Sequence, residues 1–363
     1  MKKKLLVCLL IGVCTLSLFG GCKKKDANTE NEVAENVTET ETEETREGML
    51  RSPFTGVWID EEIARKRPIA VMTENTRETL PQYGLSSADV IYECPVEGGI
   101  SRLMCIYQDY EDLDKIGNIR SCRIYYPYFA HEFDAIYFHA GQNVAAIPVL
   151  ESEYIDAIDG TTGKAAPYYI ADSSRKAPHH LYTSGELADQ AIETYGYETT
   201  LDDDYKTHYQ FAKEDEPNLL EDGNDCAVIQ TYFLHAKPWF TYNEEDGLYY
   251  RFEFGEPQMD ALNDTQIAVK NVIIQEVTNS MLDESAGTLW LDYIGTGVGK
   301  YITNGKCIDI TWERESDYSI TRYYDKDGNE IQLNPGKTWV EVTQAEYTDK
   351  NVVYATLEDF ENK

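Results

Sequence analysis

Turn dipeptides that demand positive φ, set between short apolar runs, constrain this chain more than any other feature. Asp246-Gly247 separates Phe240-Thr241-Tyr242 from Tyr249-Tyr250-Arg251-Phe252, and Asn304-Gly305 separates Tyr301-Ile302-Thr303 from Cys307-Ile308. Asp327-Gly328-Asn329 precedes Ile331-Gln332-Leu333 in the same way. Asn-Gly and Asp-Gly supply the backbone angles of a type I′ turn, the strongest local signal for a β-hairpin. With the apolar runs Val272-Ile273-Ile274 and Leu289-Trp290-Leu291 as further strands, residues 225–363 predict a mainly antiparallel β (α+β) C-terminal domain. The glycine run Gly295-Thr296-Gly297-Val298-Gly299-Lys300 lacks the spacing and the Ser or Thr of a phosphate loop, so it predicts a turn or bulge.

The first half has a different rhythm. Arg67 to Met72, Val90 to Glu93, Arg102 to Tyr107 and Ala135 to His139 are β-branched or aromatic runs bounded by Gly, Pro or Asp, and they predict strands. Helical spacing marks 126–133, 144–151 and 185–195, the last opened by Thr183 and Glu186 at capping-box spacing and closed by Gly196. Strands alternating with helices predict an α/β N-terminal domain over 52–200. The stretch 201–224, with Asp202-Asp203-Asp204 and Glu214-Asp215-Glu216-Pro217, is expected to be an acidic linker.

Ahead of this lie Lys2-Lys3-Lys4, an apolar stretch from Leu5 to Phe19, and Gly20-Gly21-Cys22. That is a signal peptide over 1–21 whose cleavage site ends in a cysteine, the pattern of a bacterial lipobox. Acylation of Cys22 would anchor the chain to the membrane, because each buried CH₂ contributes roughly 0.8 kcal/mol and two or three chains hold where one does not. The Thr/Glu/Asn-rich remainder of 22–51 has too few apolar residues to offset its ordering entropy and predicts a disordered acidic tether. The whole chain carries 32 Lys and Arg against 65 Asp and Glu, a formal charge of −33, which becomes −36 once the signal's three lysines leave. Such a chain has no basis for binding nucleic acid through its phosphates.

Five cysteines remain after Cys8, Cys14 and Cys22: Cys94, Cys105, Cys122, Cys226 and Cys307. An odd number without a C-x-x-C pair argues against a disulfide framework or structural zinc. Cys122, between Arg120 and Arg123, is either a thiol activated by two guanidinium groups or a small buried residue. Polar residues gather at strand ends and loops: Glu74, Asn75, Glu93, Glu97, Arg102, Arg120, Arg123, His139, Asp172, Arg175 and His179. In a sheet of this kind they would line a crevice beyond the strands' carboxyl ends. Arg102, Arg120 and Arg123 suit an anion clamp, since guanidinium forks grip carboxylate or phosphate with two bonds, or they pair with Glu93, Glu97 and Asp172 and hold loops. His139 and His179 could form a general acid/base pair. No metal-ligand spacing occurs, and neither a metal nor a cofactor is expected.

Several of these segments occur together in one order. Arg67-Pro68-Ile69-Ala70-Val71-Met72, Tyr92-Glu93 with Val96-Glu97-Gly98-Gly99-Ile100, the 116–123 element, His139-Ala140-Gly141, Asp172 to His179, and Leu333-Asn334-Pro335-Gly336-Lys337-Thr338-Trp339 make the chain from Pro53 onward resemble the YerB-like lipoproteins of Gram-positive bacteria. The resemblance implies a lipid-anchored protein on the extracytoplasmic face of the cell membrane, with an α/β domain, a C-terminal domain and no established activity. Cys122 and Gln258 depart from the family's usual small residue and frequent His, which weakens nucleophile and metal roles there. Two function classes follow. One is a non-catalytic lipoprotein whose Arg/His crevice binds an envelope polymer or envelope protein; the other is a hydrolase or transferase acting on a phosphoester or glycan linkage, with Glu93 or Glu97, His139 and His179 as acid/base groups.

Overall fold

A computed structural model describes residues 45–363 other than 203, 204 and 286. The signal segment, Cys22 and most of the tether therefore lie outside the described residues. The tether's expected end is ordered: Met49–Arg51 pairs antiparallel with Trp58–Asp60, and the guanidinium groups of Arg46 and Arg51 stack on Trp58.

The protein is mostly strand with few helices, and one eleven-stranded sheet organises it. Across the sheet run Asn224–Asp225, Lys306–Arg314, Gly295–Thr303, Asn271–Val277, Thr338–Gln344, Val90–Pro95, Ser101–Tyr107, Ile69–Asn75, Ile136–His139 and Ala157–Asp159, with Arg322–Tyr324 beside Lys306–Arg314. Expected strands of both halves are thus present, and many of them share this one sheet, while Trp239–Asn243, Leu248–Glu253 and Thr288–Leu291 belong to others. The seam is Thr338–Glu341 lying parallel to Val90–Glu93. The stretch expected as a linker is packed into this body: His208, Tyr209 and Ala212 are buried, and Gln210–Phe211 pairs with Gln332–Leu333. Its aromatic residues supply the apolar surface that its acidic runs obscure.

Side chains alternate across the sheet, so each strand feeds two cores. Ala70, Met72, Tyr92, Met104, Tyr137 and Val340 face Tyr126, Phe129 and Phe133 of the segment around the Tyr126–His131 helix. Ile69, Val71, Ile91, Leu103, Phe138 and Trp339 face the other way, towards the Gly185–Tyr195 helix and a second antiparallel sheet that contributes Ile229, Phe240 and Tyr249. Ser184 caps that helix by accepting from Leu187 N, and Gly196 ends it with φ +75°. The expected helix over 144–151 is a single 3-10 turn followed by Ile147–Leu150.

The Asn304-Gly305 hairpin forms as expected, whereas Asp246-Gly247 ends a four-residue loop between Asn243 and Leu248, and Asp327-Gly328 lies in a turn closed by the Tyr324–Glu330 bridge. Asn304 and Gly305 have φ of +50° and +74°, and Thr303 faces Lys306 across the two-residue turn. The glycine run departs from expectation, because it forms the first part of the Gly295–Thr303 strand. A Cβ on Gly297 would lie 2.4 Å from the Trp312 ring, and one on Gly299 would lie 2.1 Å from the Ile274 carbonyl oxygen. Glycine is required there for close approach to neighbours within the sheet.

Candidate functional site

The sheet opens at the carboxyl ends of Ile69–Asn75 and Ile136–His139, where the intervening segment 118–123 wedges between them. Arg120 N donates to Met72 O at 2.9 Å, Ala140 N to Arg120 O at 3.0 Å, and Cys122 N to Gly141 O at 2.8 Å. This lacing sets Arg120 and Arg123 beside Arg102, which stands opposite Glu74 in the register of the neighbouring strand.

The three arginines are held differently. Arg120 pairs with the buried Glu74 and donates to Pro178 O at 3.2 Å. Arg123 pairs with Glu97 at 2.5 Å and donates to Cys122 O at 2.9 Å. Arg102 is only 2% exposed and has no carboxylate within ion-pair distance among the described residues; its one hydrogen bond runs from Nη1 to Ser121 O, 2.6 Å. Burial, and after it the Arg123 charge, holds its proton affinity below the usual guanidinium value, with Glu74 opposing and Arg120 adding to the shift. His179 places Nδ1 3.4 Å from Glu74 on the rim, which makes Glu74 the shared carboxylate of Arg120 and His179.

The remaining candidates fall elsewhere. Asn75 and Glu93 point to the opposite face of the sheet, where Asn75 Nδ2 donates to Glu93 Oε1 at 3.0 Å. Asp172 takes Lys115 at 2.8 Å, and Arg175 donates to Thr79 O at 3.0 Å, so both tie loops together. His139 is buried; desolvation lowers its proton affinity, and Nδ1 lies 3.0 Å from the Gly141 carbonyl oxygen. A ring so placed is a neutral structural donor. Cys122 is also buried, with its thiol pushed up to about 12 by desolvation, so the activated-thiol alternative is replaced by that of a small buried residue. The other four cysteines of the described residues are likewise buried and free.

Two charged clusters escaped the sequence reading. Under the second sheet, Arg251 is wholly buried with Glu93, Glu253 and Glu341: Nη1 meets Glu341 at 2.9 Å, Nη2 meets Glu93, and Glu253 is 3.7 Å away. Gln258 accepts from Arg251 Nε at 2.6 Å and belongs to this cluster. Beneath the first core, Glu132 receives Arg314, His208 Nε2 at 2.6 Å and Thr321 N at 2.7 Å. Arg251 and Glu253 did carry a signal, since they alternate with exposed-side residues behind Tyr249 in a strand and so must face inward.

Residues 54–198 match the N-terminal domain, and residues 229–340 the C-terminal domain, of DUF3048, described as a protein of unknown function. The chain belongs to the DUF3048 family. The "Putative lipoprotein YerB" of Bacillus subtilis strain 168 is 28% identical over 342 residues, which is 94% of this chain and 96% of that protein. The crystal structure of the Bacillus subtilis YerB protein is similar with a TM-score of 0.69 at 27% identity, over 81% of this chain and 96% of that one. The resemblance read from the motifs thus holds across both family regions. Among the described residues no helix is long and apolar enough to cross a membrane.

Proposed function

We propose that this protein is an extracytoplasmic lipoprotein, anchored through Cys22, that binds an anionic group of an envelope component at the crevice formed by Arg102, Arg120 and Arg123. The observation that carries this reading is Arg102, a buried guanidinium crowded by two like charges and given no carboxylate of its own. Folding leaves such groups uncompensated at a cost, and buried charges are otherwise paired. A binding site explains that cost. The hydrolase or transferase reading has less support, because burial withdraws His139 and Glu93, and the carboxylate beside the more exposed His179 is Glu74, itself buried and paired with Arg120.

Arg102→Gln tests the site. Removing a strained charge should leave the melting temperature unchanged or raise it, with the lost Ser121 bond limiting any decrease to about 1 kcal/mol. A loss of several kcal/mol, as when a buried pair is broken, would return Arg102 to a structural role. The anchor is tested separately. Cys22→Ser should remove the protein from the membrane fraction or leave it unprocessed, and a variant that is processed yet still sediments wholly with membranes would refute lipid anchoring.

A further inference from the structure

The charge count and the free hydrogen-bonding edge of Arg102 together specify what kind of anion the crevice takes, an inference that rests on the binding reading above. Three guanidinium groups meet two carboxylates: Arg120 is neutralised by Glu74, Arg123 by Glu97, and Arg102 is left over. These five side chains therefore carry one uncompensated positive charge. Arg102 uses Nη1 on Ser121 O, whereas Nε is buried without a partner and Nη2 makes no hydrogen bond among the described residues. Nε and Nη2 lie on one edge of the planar guanidinium, and that edge presents two parallel donors to two oxygens of one acceptor.

We propose that the ligand is a singly charged oxyanion with two free oxygens, a phosphodiester or a carboxylate, and not a phosphomonoester dianion. One negative charge brings the site to neutrality and fills the free fork. A second would sit unpaired beside Glu74, which is 1% exposed, and beside Glu97, in a protein of formal charge −33. Both carboxylates are already committed to their own arginines and would repel it.

The experiment is equilibrium binding to the full mature chain at pH 8 and low salt with three probes: diethyl phosphate, N-acetylalanine, and glycerol phosphate, which is a dianion at that pH. The expected result is that diethyl phosphate or N-acetylalanine binds at least tenfold more tightly than glycerol phosphate. Arg102→Gln should lose this binding, while Arg175→Gln, which alters only a loop tie, keeps it. Whichever monoanion wins tells a phosphodiester source, such as a lipid headgroup or polymer linkage, from a peptide-type carboxylate. Equal or tighter binding of glycerol phosphate, still lost in Arg102→Gln, would overturn the monoanion inference and leave the binding reading standing. Failure of all three probes, or binding unaffected by Arg102→Gln, would overturn both.

Discussion

Arg251→Met should destabilise the protein by about 3–5 kcal/mol at pH 8, the usual cost of stranding buried charge, and by much less near pH 4.5. Among the described residues Arg251 is the single cation facing Glu93, Glu253 and Glu341, and all four side chains have no exposure. Its guanidinium also lies 4.0 Å from the centre of the Trp339 ring, so methionine keeps much of the packing and removes the charge. Even with Arg251 present the carboxylates are in excess. Burial raises Glu253 to about 7, and burial with the neighbouring Glu93 raises Glu341 well above the ordinary carboxylate value. A carboxyl whose proton affinity is higher in the folded state costs nothing below its unfolded value, near 4.5. It opposes folding progressively as pH rises through that value towards its folded one. The parent should therefore lose stability between about pH 4.5 and 7, on the order of 3 kcal/mol from Glu253 alone, and the variant should lose more over the same range. Denaturant melts at the two pH values check this. A variant equally stable at both would mean that the three carboxylates find compensation elsewhere.

Glu132→Gln should cost a similar ~3–5 kcal/mol at neutral pH, and this cost too should shrink in acid, here because the stabilising carboxylate itself is protonated. Burial tends to raise Glu132, yet the Arg314 charge, His208 and the Thr321 N–H together hold it below the ordinary carboxylate value. Its stabilisation is thus in full force above the unfolded value and disappears as pH falls through the folded one. Glutamine keeps the shape and removes the charge opposite Arg314, which would retain only neutral acceptors, the glutamine's own amide oxygen and the carbonyl oxygens of Tyr128, Ser316 and Asp317. The gap between parent and variant should close on acidification. Glu62→Gln, on an exposed helix turn, serves as the unaffected control. A Glu132→Gln protein that melts with the parent at pH 7 would show that those neutral acceptors suffice for Arg314.

The contrast between these clusters and the hairpins explains what could be read without coordinates. Asn304-Gly305 settles its own turn because the requirement for positive φ is local to two residues. The strands ending at Asn75 and His139, and the Arg120-Ser121-Cys122-Arg123 run between them, were legible for the same reason. Pairing was not. Glu97 was correctly matched as a carboxylate available to the arginines, but Glu93 lies one face away, and only the register of Val90–Pro95 against Ser101–Tyr107 decides that. Arg251 finds Glu93 across 158 positions and Glu341 across 90, distances over which no local pattern speaks. The shared sheet was missed on the same grounds, since turn chemistry distinguishes the two halves while the strand that joins them carries no mark of its partner.

The seam between Thr338–Glu341 and Val90–Glu93 has a kinetic meaning. Lys337 reaches the Ser86 carbonyl oxygen across 251 positions, so the centre of the sheet is closed by a strand synthesised long after its neighbour. Contacts so distant in sequence pay their loop entropy before any reward arrives, and folds built on them are slow. Until residues 338–344 arrive, Val90–Pro95 is an open edge of buried-type residues, the kind of surface that recruits other chains. The strands from Ile69–Asn75 to Ala157–Asp159 thus emerge as a sheet lacking one neighbour, and a truncated chain that ends before the seam should associate with itself instead of standing as a free domain.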